Sequence, residues 1–280
     1  MPIDQDELFQ LDAPVNGVLC FMLPKEGELM VECQDRYALN ASQRCYAVAD
    51  GVAGSFGAGP WARIVSRSFV KHGGNFVNPD EFKQWLITCS QEWQQWMENR
   101  WVPTMNAMRA RNGDRPGDWS NDIRLGAQTT LIGCSLYSSG AIRKSANIAR
   151  VFAIGDGEFF HFRPNIAGSW DLMQAFPYQQ SSQFGSRPNT LMTMLRPDLM
   201  EHTWMSKQTL ELVSVKPGDR IVLTSDTLAK WLLTQIEQQT NLWQPLLDIK
   251  ELHNFEEYIR EELHQGHIED DDLTMLVIPV

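Results

Sequence analysis

No run of 18 consecutive apolar residues occurs anywhere in the 280-residue chain, so the sequence lacks the stretch that a membrane-spanning helix needs. The N-terminus (Met1, Pro2, Ile3, Asp4, Gln5, Asp6, Glu7) is acidic where a secretory signal is basic and then apolar. A soluble, cytoplasmic protein with no membrane partner is expected. Positive charge is scarce, since 24 Lys and Arg stand against 35 Asp and Glu for a formal net charge of −11. The field of such a chain repels polyanions, which argues against nucleic acid as a partner. The five cysteines (Cys20, Cys33, Cys45, Cys89, Cys134) are odd in number and form no C-x-x-C pair. That excludes a zinc ribbon or disulfide framework and leaves reduced, mostly buried thiols. The six histidines offer no H-x3-H or H-E-x-x-H pair, and His264 with His267 is weak evidence for zinc. Internal repeats, low-complexity tracts and long Pro/Gly/Ser linkers are also missing.

What is present suits one domain spanning residues 1–280. Hydrophobic residues make up 43% and charged residues 21%, an ordinary globular balance that allows a sizeable core. Residues 16–23, 36–39 and 44–49 are short apolar or alternating runs broken by turn residues, the pattern of strands. The period then lengthens: Trp61, Ile64, Val65 and Phe69, and later Phe82, Trp85, Leu86, Cys89, Trp93, Trp96 and Met97, recur at three- and four-residue steps, predicting two amphipathic helices. Asn78-Pro79 reads as a cap followed by a first-turn proline. The Trp-rich helix reads as core, with a partner surface as the minority reading. Residues 103–122 carry Pro103, Gly113, Pro116 and Gly117 without a period, so the region 78–122 is expected to end in an irregular loop. Strands are predicted again at 129–136, 148–154, 159–162, 220–224 and 273–280, and helices at 228–238 and 243–264. This order predicts an α+β fold, two stacked antiparallel β-sheets flanked on both outer faces by helix pairs.

Four aspartates abut the predicted strands: Asp35, Asp50, Asp226 and Asp271. Any one of them alone reads as a solvated turn residue. Four together suggest a convergent cluster, which can share a small volume only around cations, and all-oxygen ligands favour hard ions such as Mg²⁺ or Mn²⁺.

The surrounding blocks resemble, in order along the chain, the metal-dependent serine/threonine protein phosphatases of type 2C, in particular their bacterial members. Cys-Gln-Asp-Arg-Tyr at 33–37 is similar to that family's Asn-Gln-Asp-Arg segment, and Tyr-Ala-Val-Ala-Asp-Gly-Val-Ala-Gly at 46–54 to its Phe-Ala-Val-x-Asp-Gly-x-Gly-Gly. Gly-Ala-Gln-Thr-Thr-Leu at 126–131 and Ala-Ile-Gly-Asp-Gly at 153–157 follow. Gly-Asp-Arg-Ile-Val-Leu-Thr-Ser-Asp at 218–226 and Asp-Asp-Leu-Thr-Met-Leu-Val-Ile at 271–278 complete the series. The resemblance implies that Asp50 bridges two Mn²⁺ or Mg²⁺ ions, that Gly51 gives one of them its carbonyl, and that Asp35, Asp226 and Asp271 complete the site. It further implies phosphoserine and phosphothreonine hydrolysis by a water shared between the ions, with no covalent intermediate. The expected partners are phosphorylated proteins set against a serine/threonine kinase in signal transduction, and a monomer is expected.

The chain also departs from the family pattern. Met30 stands where the family has a phosphate-gripping arginine, Gln34 where some members have Glu, and Val52 where many eukaryotic members have histidine. Lys230 replaces a second aspartate that, with Asp156, helps hold a third ion. A lysine there argues against that ion; it could contact Asp156 or the substrate phosphate, or be a solvated helix residue. Asp156 itself could be only a turn residue. Residues 174–196 lie where the family has its flap, and Arg187 could bind phosphate from it. The departures leave an alternative function, that of a pseudophosphatase acting as a binding or regulatory module.

Overall fold

The computed structural model describes residues 17–74, 76, 78–138, 147–194 and 207–280. Two five-stranded antiparallel sheets form its centre. The first has the order β1-β12-β11-β7-β8, from β1 (Leu19–Leu23), β12 (Leu273–Pro279), β11 (Arg220–Thr224), β7 (Glu158–Pro164) and β8 (Trp170–Phe176). The second has the order β10-β6-β5-β3-β2, from β10 (Gln208–Val215), β6 (Asn147–Ile154), β5 (Leu131–Ser138), β3 (Cys45–Ala49) and β2 (Arg36–Asn40). A small pair, β4 (Gln128–Thr129) with β9 (Leu191–Met192), lies beside them.

Period-two alternation sorts the strand residues into layers. Tyr46, Val48, Ile132, Cys134, Ile221, Leu223, Leu276 and Ile278 meet between the sheets. Their neighbours point the other way: Cys45, Ala47 and Ala49 face α1 (Ala58–His72) and α2 (Pro79–Trp96), while Val222, Met275 and Val277 face α5 (Asp226–Glu237) and α6 (Leu252–His264). Small residues on the helix side of β3 let α1 approach closely, and Phe69 fills the space above Gly133, where an added Cβ would lie 2.1 Å from the ring. The predicted α+β sandwich with helices on both outer faces is the architecture observed. Asn78 caps α2 as its sequence implies, accepting a hydrogen bond from the Glu81 N–H at 2.9 Å.

Several local expectations are corrected. Residues 103–122 are largely helical: a π-helix (Met97–Trp101) leads into α3 (Val102–Arg111), and α4 (Ser120–Leu125) follows. The widened π turn directly precedes Pro103, whose ring and missing N–H would disrupt an uninterrupted α-helix. α3 buries no residue, so it left no apolar period to read. The stretch 243–264 divides into a 3₁₀ turn (Gln244–Leu247) and α6. Strands β8 and β10 were not foreseen. Residues 174–176 of the flap-like segment belong to β8, residues 181–183 form a 3₁₀ turn, and residues 195–196 lie outside the described residues.

Candidate active site

Strand ends from both sheets deliver carboxylates to one pocket of about 200 Å³. Asp50 and Gly51 follow β3, Asp156 sits in the β6–β7 turn, Asp226 opens α5 after β11, and Asp271 and Asp272 precede β12; all six residues line the pocket. Asp35, immediately before β2, is fully buried behind them.

The backbone around Asp50 is held by the 126–131 block. Thr130 N–H and the Thr129 hydroxyl donate to the Asp50 carbonyl at 2.8 and 2.6 Å, and Val52 N–H donates to the Gln128 carbonyl at 3.0 Å. Gly51 has no room for a side chain, since an added Cβ would lie 2.8 Å from the Gln34 carbonyl oxygen and 3.0 Å from the backbone of Ala58. Arg36 explains the conformation of the 33–35 turn: its guanidinium donates to the carbonyls of Cys33 and Asp35 at 2.6 and 2.5 Å. Thr227 N–H donates to one carboxylate oxygen of Asp226 at 2.5 Å.

Crowding of like charge shows in the titration of these groups. Burial, with the negative charges of Asp272 and Asp226, raises Asp35 to about 7, against an offset from the nearby Ser225 and Thr274 hydroxyls. Burial and Asp226 raise Asp156 to about 7. Asp50 lies well above the ordinary carboxylate range through burial and then the charges of Asp35, Asp226, Asp156 and Asp271. Asp226 is raised by burial and by Asp271.

A divalent cation would relieve this repulsion. Both carboxylate oxygens of Asp35, one of Asp156 and the amide oxygen of Gln34 are buried without a hydrogen-bond partner, which leaves them for a ligand or water. The donors are all oxygen, the set that suits Mg²⁺ or Mn²⁺. Among the described residues no three of these groups close on one point as a ready-made ion cage; Asp35, Asp50, Asp156, Asp226 and Asp271 surround the space without collapsing into it.

Two residues at this site had no role in the sequence reading. Lys25, just past β1, lines the pocket and pairs with Asp271 at 3.0 Å, and that hydrogen bond, ahead of the opposing effect of burial, raises its pKa. Nothing in its Pro-Lys-Glu turn signals this. Asp272 accepts from the N–H groups of Lys25 and Gln34 at 3.1 and 2.6 Å, so it stitches the β1–β2 connection to the start of β12 and its oxygens are spoken for. The run Asp270-Asp271-Asp272 was its only trace in the sequence.

Neither residue considered for phosphate binding lines the pocket. Lys230 lies one turn beyond Asp226, yet its ammonium pairs with Glu269 at 2.6 Å on the exposed side of α5 and does not line the pocket. A half-exposed lysine keeps its hydration by meeting a solvated carboxylate, which costs less than entering the cluster. Arg187 is exposed; its neighbours Ser186 and Pro188 line the pocket and it does not.

The structure is similar to that of the Mycobacterium tuberculosis serine/threonine phosphatase PstP/Ppp, with a TM-score of 0.55 at 14% identity over 94% of this chain and 97% of that one. It is also similar to the catalytic domain of the serine/threonine protein phosphatase PstP in complex with two manganese ions, with a TM-score of 0.50 at 14% identity over 93% and 96% of the two chains. At this identity the likeness is one of fold. No family model matches the chain, and no curated protein matches it by sequence. No helix among the described residues is long and apolar enough to cross a membrane.

Proposed function

We propose that this chain is a metal-dependent protein phosphatase of the type 2C family, hydrolysing phosphoserine and phosphothreonine at the acidic pocket. The observation that carries the reading is the convergence of Asp50, Asp156, Asp226 and Asp271 on one pocket with Asp35 buried and unpartnered behind them. The fold shared with PstP, which binds two manganese ions in its own crystal structure, supports it. Asp50, the Gly51 carbonyl, Asp35, Asp226 and Asp271 would hold two ions, with Asp156 beside them in the same pocket.

Bound divalent ions supply the positive charge that activates a water and neutralises phosphoryl oxygens. The chain's own residues do the rest. Asp50 and Gly51 stay in place because the β4–β5 backbone holds the Asp50 carbonyl. Asp272 keeps Lys25 and Gln34 at the rim by accepting their N–H groups. Lys25 pairs with Asp271 at the pocket wall, poised to turn from it toward an incoming phosphoryl oxygen. No thiol lines the pocket, so the chain's own side chains there supply carboxylates and one ammonium.

The same Lys25–Asp271 pair favours a second reading, in which an ammonium partly replaces the ions and the domain binds phosphoproteins without hydrolysing them. One experiment separates the two. With Mn²⁺, the protein is expected to release phosphate from phosphoserine and phosphothreonine peptides faster than from a phosphotyrosine peptide, and to stop in chelator. Peptide binding without phosphate release under Mn²⁺ or Mg²⁺ would favour the binding module.

A further inference from the structure

The loop between Lys25 and Gln34 runs along the acidic pocket and carries an apolar run on its surface. Leu29, Met30 and Val31 stand in a row between Glu28 and Glu32; Leu29 is 67% and Val31 44% exposed, with Met30 half-buried between them. Single apolar side chains on a surface need no explanation, but a consecutive exposed run works against solubility unless something uses it. Its place in the fold points to a use. Glu28, the residue before Leu29, lines the acidic pocket, as do Lys25 and Gln34 at the two ends of the same loop.

The run is presented on a loop that its own hydrogen bonds fix. Glu28 N–H donates to the Lys25 carbonyl at 3.1 Å, Glu32 N–H to the Leu29 carbonyl at 2.8 Å, and the Glu32 carboxylate accepts from Leu29 N–H at 2.8 Å. The loop is also tied to the chain ahead of β12, where Asp270 accepts from Glu26 N–H at 2.8 Å and Asp272 accepts from Lys25 and Gln34. A loop pinned at both ends and across its middle leaves little ordering for a partner to impose, which favours binding.

The rest of the lining says what that partner carries. Val52, Ala53 and Pro188 add apolar surface to the same pocket, and its charged lining is six carboxylates against the single ammonium of Lys25. Two divalent ions would leave that lining negative, so a segment entering with the phosphate meets negative charge beside apolar surface. An extended peptide advances about 3.3 Å per residue, which keeps the neighbours of a seated phosphoserine within reach of Glu28 and the residues that follow it.

We propose that residues 28–31 form the substrate-reading lip of this site: Leu29 and Val31 pack against an apolar side chain, and Glu28 pairs with a basic one, both within about three residues of the phosphoserine or phosphothreonine. The occupant is a phosphoprotein segment of mixed basic and apolar character. The proposal rests on the phosphatase reading of the acidic pocket and adds to it the class of sequence accepted there.

The test compares phosphoserine peptides that differ at one position, Leu against Ser for the apolar contact and Arg against Glu for the charged one, scanned on both sides of the phosphoserine. With Mn²⁺ the full chain is expected to favour the best Leu peptide about tenfold in kcat/KM, mostly through KM. The Leu29→Ser/Val31→Ser double variant should abolish that preference. Leu29→Met/Val31→Ile, which keeps the lip apolar, should retain it and so separates loss of a contact from loss of fold. Glu28→Gln should reduce the preference for Arg about threefold, more at low salt than at high. Equal kcat/KM for Leu and Ser peptides at every position in the wild type, or a Leu preference that survives in the double serine variant, would overturn the proposal; an Arg preference untouched by Glu28→Gln would overturn its charged half. Phosphate release from none of the peptides would contradict the phosphatase reading instead. Fluorescence anisotropy of the same peptides with Mn²⁺ then decides the lip: a Leu preference in Kd that the double serine variant loses supports it, and equal Kd values overturn it. A wild-type dimer that dissociates in the double serine variant, read by sedimentation, would assign the run to a second copy of the chain and overturn the proposal as well.

Discussion

The acidic pocket and a second pocket in the helical layer share one short stretch of chain, residues 50–67, yet are built in opposite ways. Strand ends from two sheets bring the carboxylates together, and each is held by backbone hydrogen bonds or burial. The second, larger pocket is a seam between helix faces, lined by Arg63 and Arg67 of α1 and Arg100 of the π-helix. Rigid strand ends can hold like charges close against their repulsion, at the cost of raised pKa values. Helix faces hold like charges more loosely. The contrast separates a fixed carboxylate cluster from a looser seam between helices.

The largest effect that could break this contrast is the loss of one carboxylate. Asp226→Ala should lower Mn²⁺-dependent phosphate release by about 10²-fold or more, in line with removal of a charge-stabilising group in a preorganised site, whereas Arg67→Gln should leave the rate within about twofold, because Arg67 does not line the acidic pocket. Steady-state kinetics on a phosphopeptide measures both. Gly51→Ala comes next. Its Cβ must displace the Gln34 carbonyl or the start of α1, neither of which is a flexible side-chain end, so it should cost about 1–3 kcal/mol in thermal stability and weaken metal binding as well.

A pH series sharpens the electrostatic half of the comparison. Asp35 and Asp156 titrate near 7 in the fold, above their unfolded values. A raised folded pKa means that their contribution to stability is fully present below about pH 4 and lost as the pH rises through about 7. The metal-free protein should therefore lose several degrees of melting temperature between pH 5 and pH 8 relative to an Asp35→Asn variant, and Mn²⁺ should remove most of that difference. Differential scanning calorimetry with and without metal checks the sign. The smallest effect is at Lys25: Lys25→Ala removes the ammonium from Asp271 and should tighten Mn²⁺ binding by a few-fold while raising the KM for phosphopeptide more than it changes kcat.

The difference between the two pockets is also a difference in what a sequence can reveal. Each aspartate of the acidic site abuts an apolar strand, and strand ends have a local signature, so Asp35, Asp50, Asp226 and Asp271 could be picked out before any coordinates. The sandwich was legible for the same reason: alternation in β3, β11 and β12 sorts residues into the inter-sheet and helix-facing cores. Arg63, Arg67 and Arg100 carry no such mark, since a helix arginine that lines a pocket has the same spacing as one facing solvent. Lys25 was hidden because its partner is distant in sequence, and the alternatives for Lys230 stayed open because four-residue spacing on a helix says which face a residue occupies, while the Glu269 that pairs with its ammonium comes from elsewhere. Pro103 misled in a related way: a proline ends an ordinary α-helix, and only the π turn before it lets the helix continue.

Isothermal titration of Mn²⁺ into the wild-type protein and into Asp50→Asn tests the central claim most directly, because Asp50 is the carboxylate on which the others converge. The account predicts two ions bound by the wild type, with phosphatase activity following their occupancy, and loss of at least one ion together with the activity in Asp50→Asn. Equal Mn²⁺ binding by both proteins, or phosphate release that persists in chelator, would contradict it.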